Sequence, residues 1–198
     1  MSPPSQQVVL VRHGETEWSR DGRHTGRTDI PLTETGRRQA EVLAARLRRW
    51  TFAAVLCSPL VRAVETCRLA GLECSGVRDD LREWDYGDME GRTTPEIRRD
   101  RPGWVLWRDG VTGGESVDEV GRRADRVIAE VRSLPGDVAL VAHGHLLRVL
   151  ASRWLDLPAV DGRLFVLSAA SVSVLGYEWE NAVLQLWNDR SHLDAAAY

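Results

Sequence analysis

The sequence predicts an α/β protein in which a mostly parallel sheet lies between two layers of helices. Three short apolar runs, at 8–11, 53–57 and 138–142, are typical of strands that are covered on both faces. Longer segments with apolar residues at helical spacing separate these runs. Because strands alternate with helices along the chain, we expect parallel pairing through right-handed crossovers.

The first half of the chain predicts two strands, each followed by a helix. After the strand at 8–11 and a polar loop, Thr33 can cap a helix. The apolar stripe of this helix comprises Ala40, Leu43, Ala44, Leu47 and Trp50. The strand at 53–57 runs into Ser58 and Pro59, a capping hydroxyl and a first-turn proline, which predict that a second helix begins there. Gly71 suits the end of that helix.

The second half predicts two more helices, a strand between them and a hairpin. Ser116 and Glu119 form a capping-box pattern. The stripe of the helix that follows comprises Val117, Val120, Ala124, Val127, Ile128 and Val131. The strand at 138–142 leads into a helix at about 146–155. Alternation in SVSVLGYEW and AVLQLW about Glu180 and Asn181 predicts a hairpin at a sheet edge.

Length and composition indicate one globular domain over 1–198, with flexible ends at 1–7 and about 192–198. The net charge of −3 provides no basic field for a nucleic-acid partner. All 26 basic residues are Arg, which excludes Schiff-base chemistry and a Walker-type lysine. Three cysteines without a CxxC pair suggest neither a disulfide framework nor a zinc ribbon.

No export signal or apolar run of membrane-spanning length is visible, so we expect a cytoplasmic protein without a membrane partner. A homodimer is an assembly that the sequence leaves open.

Charged and imidazole side chains follow the three buried strands. The first strand runs into Arg12, His13 and Gly14, and the strand at 138–142 runs into His143 and Gly144. The strand at 53–57 runs into Ser58, with Arg62 one turn further along. Functional groups in such sheets collect beyond the carboxyl ends of the strands, so we expect these side chains to share one pocket. The glycines would leave room for a ligand to approach the backbone.

A pocket with two guanidiniums and up to two imidazoliums suits a strongly anionic ligand, and phosphoryl is the natural candidate. The amino-terminal end of the helix predicted at Ser58 could add its dipole. The same cations disfavour protonation of one histidine, which leaves a neutral nitrogen nucleophile near pH 7.

Five motifs in order resemble the histidine phosphatase superfamily, also called phosphoglycerate-mutase-like. They are VRHGETEW with Thr25 and Gly26 downstream, CSPLVRAVET, LREWDYGDMEG, GGES and VAHGHLLR. The match covers about residues 8–150. The stretch LREWDYGDMEG, followed by WVLWRDG, most resembles the acid phosphatases and the sedoheptulose bisphosphatase-like members.

The resemblance implies the fold of that superfamily and a role for each matching residue. His13 would be the nucleophile that becomes phosphohistidine, Arg12 and Arg62 would clamp the phosphoryl oxygens, and His143 would complete the cationic pocket. Glu83 would protonate the leaving oxygen and then help water to attack. The implied substrate-binding set is Arg12, Thr25, Gly26, Arg62, Glu83, Tyr86, His143 and Gly144. The carboxylates of Asp85, Asp88 and Glu90 could favour the protonated acid by repulsion.

The function expected from the resemblance is that of a phosphoric monoester hydrolase of the histidine acid phosphatase type. It would act on small phosphorylated metabolites, such as sugar phosphates, and need neither a metal nor a cofactor. Phosphoglycerate mutase activity is an alternative, although the segment Thr94–Thr112 is short for a substrate cover. A protein that binds a phospholigand without turnover is another.

Three further interpretations of single residues remain open. His143 and His145 form an HxH pair that could ligate a metal together with Asp137 or the acidic loop. Tryptophans near the expected mouth could stack on a ligand; these are Trp18, Trp84, Trp104 and Trp107. A second anionic group of the substrate could be bound by one of several arginines, namely Arg20, Arg23, Arg27, Arg92 and Arg108.

Overall fold

Six strands form one sheet in the computed structural model, which describes residues 6–194. The strands are β1 Val8–Arg12, β2 Phe52–Cys57, β3 Gly76–Val77, β4 Asp137–Ala142, β5 Val172–Glu178 and β6 Asn181–Asp189. Their order across the sheet is β3-β2-β4-β1-β5-β6. Strands β1 to β4 pair in parallel, while β5 runs antiparallel to both β1 and β6. The sheet is therefore mostly parallel, as the sequence predicts.

In the described part of the chain, eight α-helices connect and flank the strands. They are α1 Glu17–Arg20, α2 Glu34–Leu47, α3 Val61–Leu69, α4 Thr94–Asp100, α5 Leu106–Asp109, α6 Val117–Ser133, α7 Gly144–Trp154 and α8 Ser191–Asp194. Within residues 6–194, none of them is long and apolar enough to cross a membrane.

The apolar core has two halves, one on each face of the sheet. Val9 and Val11 of β1 pack on the face that α2 and α3 cover. Val8 and Leu10 point to the opposite face, which α6 and α7 cover. Because successive side chains of a strand alternate between faces, a strand that is apolar throughout requires helices on both sides. The predicted three-layer α/β/α arrangement is confirmed.

The local signals mark several element ends correctly. The Thr33 side chain accepts the backbone N–H of Gly36 and caps α2. Ser116 and Glu119 form the predicted capping box at the start of α6. The hairpin at the sheet edge is also present, with its turn at Trp179 and Glu180. Short elements, including α1, α4, α5 and β3, were not predicted because they contain too few residues to show a periodic pattern.

The predicted start of the second helix is wrong. Helix α3 begins at Val61, and its first N–H donates to the Asp29 carboxylate at 2.8 Å. The Ser58 hydroxyl instead lies 2.7 Å from Nε2 of His143. A carboxylate from a distant loop therefore caps this helix. The amino-terminal end of the helix faces that carboxylate, and not a phosphate as the sequence suggests.

Both expected flexible ends are partly held in place. Gln6 donates through its side-chain amide to three backbone carbonyls, including that of Gly136 at 2.8 Å. At the other end, the buried His192 ring is hydrogen-bonded to the Ala170 carbonyl at 2.9 Å. Residues 1–5 and 195–198 lie outside the described residues.

Gly14 and Gly36 allow the loop after β1 to lie directly on the first turn of α2. A Cβ atom on Gly14 would lie 2.4 Å from the Gly36 carbonyl oxygen, and one on Gly36 would lie 2.1 Å from the Glu15 carbonyl oxygen. Both distances are far inside van der Waals contact. Gly14 therefore makes room for the protein's own backbone, and not for a phosphate as the sequence suggests.

This contact predicts that Gly36→Ala destabilises the protein, although alanine is the better helix former by about 1 kcal/mol. Overpacking against backbone should cost about 1–3 kcal/mol and lower the melting temperature by several degrees. Thr35→Ala, at an exposed position of the same helix, is the control and should leave the melting temperature nearly unchanged. A Gly36→Ala protein that melts at or above the wild-type temperature would contradict the packing argument.

Candidate active site

The pairing of β1 with β4 brings the two strand-end histidines together. The register ends with Arg12 opposite Ala142, and the His13 N–H donates to the Ala142 carbonyl at 3.0 Å. The rings of His13 and His143 follow side by side, with centroids 5.1 Å apart and planes inclined by 60°. Both rings are buried.

His13 carries its proton on Nδ1. That nitrogen lies 2.7 Å from the Gly14 carbonyl oxygen, which can only accept, so Nδ1 must be the donor. Burial lowers the pKa of His13 well below the usual value, and the charges of Arg62 and Arg12 lower it further. The ring is therefore neutral near pH 7, and its Nε2 atom carries the free lone pair.

His143 is also neutral, which corrects the expectation that its ring adds a positive charge to the pocket. Arg62 donates through Nε to Nδ1 of His143 at 3.2 Å, so that nitrogen is an acceptor. The other nitrogen, Nε2, then donates to the Ser58 hydroxyl. Burial lowers the pKa of His143 well below its usual value, followed by repulsion from Arg62 and His13. The positive charge of the site thus resides on the guanidiniums.

Arg62 is fully buried at the start of α3 and is held by backbone carbonyls. Its Nη1 donates to Thr28 at 3.0 Å, and its Nη2 donates to Thr25 at 3.2 Å and Gly26 at 3.0 Å. Glu90 fixes the same loop by accepting the N–H groups of Gly26 and Thr28. Thr25 and Gly26 therefore position Arg62 through their main chains.

Arg12 is held on one side and free on the other. Its Nη1 donates to the Leu167 carbonyl at 2.5 Å, whereas its buried Nε has no partner within residues 6–194. A Cβ on Gly144 would lie 3.3 Å from Arg12 Cζ, so this glycine gives the guanidinium room. Burial lowers the pKa of Arg12, an effect that the charge of Glu83 opposes. A buried N–H without an acceptor is costly, and a phosphoryl oxygen would satisfy it.

The Glu83 carboxylate is fixed by the amino-terminal end of α7. It accepts the N–H groups of His145 at 3.0 Å and Leu146 at 2.9 Å, and that of Trp84 at 2.9 Å. Two of the three acidic neighbours expected to repel it have other partners, since Asp85 pairs with Arg27 and Glu90 binds main-chain N–H groups. The amino-terminal end of α7 therefore points into the site, where it orients the Glu83 carboxylate and does not bind the phosphate directly.

A cavity of about 290 Å³ opens beside these groups. Of the predicted residues, Arg12, His13, Thr25, Glu83, Tyr86 and Gly144 line it. Arg62, His143 and Gly26 are not among the lining residues and lie behind the cavity wall. The lining residues that the sequence did not assign as site residues include His24, Thr94, Arg148 and Leu167. Arg148 lies on the helix predicted at about 146–155 and follows the predicted site residue Gly144 by four residues, and this one-turn spacing is a signal that could have indicated it.

Two aromatic groups shape one wall of this cavity. The Tyr86 hydroxyl is hydrogen-bonded to Nδ1 of His145 at 2.6 Å. Burial raises the pKa of Tyr86 and lowers that of His145, so both groups are neutral near pH 7. Burial likewise lowers the pKa of His24, whose ring lies 4.9 Å from Tyr86, to about 4. The HxH pair does not converge on one point, since His145 pairs with Tyr86 while His143 pairs with Ser58 and Arg62.

Of the four tryptophans expected near the mouth, Trp84, Trp104 and Trp107 belong to the apolar packing on one face of the sheet. Trp84 and Trp104 are buried, and no tryptophan in residues 6–194 borders the cavity, so ligand stacking is not supported. Of the surface arginines proposed for a second anion, only Arg23 lines the cavity. The others pair with carboxylates; these pairs are Arg20–Asp21, Arg27–Asp85, Arg92–Asp100 and Arg108–Asp109.

Comparison with known proteins agrees with this geometry. The family model of the histidine phosphatase superfamily (branch 1) matches residues 8–190. An acid phosphatase from Mycobacterium tuberculosis is 43% identical over 182 residues, which are 90% of each chain. The sedoheptulose 1,7-bisphosphatase of Saccharomyces cerevisiae is 36% identical over 185 residues, covering 76% of this chain and 68% of the relative. A probable phosphoglycerate mutase from Enterobacter sp. (strain 638) is 35% identical over 207 residues, covering 96% of both chains. The chain therefore belongs to the histidine phosphatase superfamily.

Proposed function

We propose that the protein is a phosphoric monoester hydrolase that acts on small phosphorylated metabolites through a phosphohistidine on His13. One observation carries this proposal: the His13 ring is neutral, its proton is fixed on Nδ1, and its Nε2 lone pair is free beside a guanidinium with an unpaired N–H. The names of two relatives, an acid phosphatase and a sugar bisphosphatase, support the same reaction class.

The first step transfers the phosphoryl group to the protein. Nε2 of His13 forms a bond to phosphorus as the bond to the leaving oxygen breaks, and Glu83, protonated in this step, donates its proton to that oxygen. Arg12, whose Nε has no partner in residues 6–194, stabilises the charge on the three equatorial oxygens, and Arg62 adds its buried positive charge from behind the cavity wall. In-line positioning and fixed positive charge are the two contributions that phosphoryl transfer requires.

The second step returns the histidine to its neutral state. Glu83 takes a proton from water, whose oxygen attacks phosphorus, and the N–P bond breaks to release inorganic phosphate. The three main-chain N–H groups that hold Glu83 keep its carboxylate in one place through both steps. The electron pair of the broken bond returns to Nε2.

Mutase activity is the second candidate, because a probable phosphoglycerate mutase aligns with 96% of this chain. The assay that separates the two follows 3-phosphoglycerate. A phosphatase releases phosphate faster than 2-phosphoglycerate accumulates, and a mutase does the reverse. A protein that only binds phospholigands would do neither.

Replacing the nucleophile should abolish turnover. We expect His13→Ala to lose at least about 10³-fold in kcat for p-nitrophenyl phosphate, measured in chelator as phosphate release. The melting temperature of the variant serves as the control for folding. Full activity in a folded His13→Ala protein would exclude His13 as the nucleophile.

The protonation state of His13 can be observed directly. Because its pKa is lowered, the ring should remain the Nδ1–H tautomer as the pH falls from 8 through 6.5, the value at which about half of an ordinary histidine is charged. Nitrogen-15 NMR of ring-labelled protein, with His13→Asn for assignment, measures this. An imidazolium spectrum that develops near pH 6.5 would contradict the argument.

Glu83→Gln should impair poor leaving groups most. An alkyl oxygen needs a proton as it departs, whereas nitrophenolate does not, so kcat should fall about 10²-fold or more for glycerol 2-phosphate and much less for p-nitrophenyl phosphate in the phosphoryl-transfer step. Burst kinetics isolate that step. Equal losses for both substrates would argue against Glu83 as the acid.

A further inference from the structure

Arg148 is a cavity residue beside the phosphoryl site. It lies on α7, four residues after Gly144, and both residues line the cavity. A rise of 1.5 Å per residue puts their Cα atoms about 6 Å apart. Since Gly144 packs against the Arg12 guanidinium, Arg148 is a close neighbour of the phosphoryl site without being part of it.

The Arg148 guanidinium is held in place without a carboxylate. Its Nε donates to the Gly162 carbonyl at 3.0 Å and its Nη2 to the Arg163 carbonyl at 3.3 Å. Its Cζ atom lies 4.8 Å from the centroid of the Trp107 ring. Within residues 6–194, no acidic group lies within ion-pair distance and Nη1 has no hydrogen-bond partner. These contacts fix the group in advance for an anion, which lowers the entropic cost of binding.

The contrast with Arg153 shows that this arrangement is unusual for the helix. Arg153 lies on the same helix, five residues further on, and pairs with the Asp125 carboxylate at 2.8 Å. It does not line the cavity. The charge of Arg153 is thus compensated by a carboxylate away from the cavity, whereas Arg148 brings its charge to the cavity wall.

The electrostatics of the cavity favour a further anion. Burial lowers the pKa of Arg148, and repulsion from Arg12 lowers it as well, whereas the charge of Glu83 opposes both. Arg23 adds a second guanidinium to the cavity wall, and its ion pair with Asp21 is long, at 3.9 Å. An anion between these groups would relieve their repulsion.

We infer that Arg148 forms a second anion-binding subsite, so that preferred ligands carry a carboxylate or a second phosphate a few atoms from the phosphoryl group. This inference rests on the proposed function for the identity of the first subsite. It selects a class within the small phosphorylated metabolites: phosphomonoesters with two anionic groups joined by a short spacer.

Equilibrium binding to the His13→Ala protein tests the subsite without requiring turnover. Calorimetry compares two matched pairs, 3-phosphoglycerate with glycerol 3-phosphate, and fructose 1,6-bisphosphate with fructose 6-phosphate. The first pair differs by a carboxylate and the second by a phosphate, so the pairs distinguish the two sources of charge. The same measurements are made after adding Arg148→Met, Arg148→Lys or, as the control, Arg153→Met.

In at least one pair, the doubly anionic ligand should bind about 10- to 100-fold more tightly, as expected for a charge-assisted hydrogen bond. Arg148→Met should remove this preference while changing the Kd of the singly anionic ligand by no more than about twofold. Arg148→Lys should retain part of it, and Arg153→Met should retain all of it.

Equal binding within both pairs, or a preference that survives Arg148→Met, would overturn the inference. The melting curve shows whether Arg148→Met folds. If it does not, the inference is tested by the preference of the His13→Ala protein for the doubly anionic ligand and by the reduction of that preference in Arg148→Lys. Failure of the proposed function looks different, because wild-type protein would then bind the doubly anionic ligand selectively and release no phosphate.

Discussion

The parallel pairing of β1 with β4 is the constraint on which the site depends. It ends both strands at the same level, so that His13 and His143 lie side by side at the centre of the sheet. Both strands are buried on their two faces, and the helices that cover them prevent either histidine from shifting. The chain thereby holds the proposed nucleophile and its neighbour with the rigidity that in-line phosphoryl transfer needs.

The charge of the site follows from this burial. Two imidazoles and two guanidiniums share a small volume, and protonation of either ring would add a buried charge beside the charges of Arg12 and Arg62. Hydrogen bonds fix the neutral tautomers, with His13 donating to Gly14 and His143 accepting from Arg62. In the proposed mechanism, the permanent charge of Arg12 and Arg62 stabilises the phosphate, and the neutral ring of His13 is the nucleophile. One electrostatic arrangement therefore serves both needs.

The sequence predicts the parts of this structure that depend on local pattern. The buried strands, the caps at Thr33 and Ser116 and the edge hairpin all follow from nearby residues. The features that the sequence does not predict depend on contacts between segments that are far apart in the chain. Ser58 resembles a helix cap, but its hydroxyl pairs with His143, 85 positions away. Gly14 suggests space for a ligand, but that space holds the backbone of Gly36. Arg148 and Arg153 differ only in their tertiary partners.

The central claim is that the Nε2 atom of His13 accepts the phosphoryl group while Nδ1 remains bonded to the Gly14 carbonyl. The most direct test is rapid quenching of wild-type protein during turnover, under alkaline conditions that preserve phosphohistidine. Peptide mass mapping then locates the modified residue, and chromatography against synthetic standards identifies the nitrogen. The account predicts a phosphoryl group on His13, linked through Nε2. A phosphoryl group on another residue, linkage through Nδ1, or turnover in which single-turnover quenching detects no phosphoenzyme would contradict it.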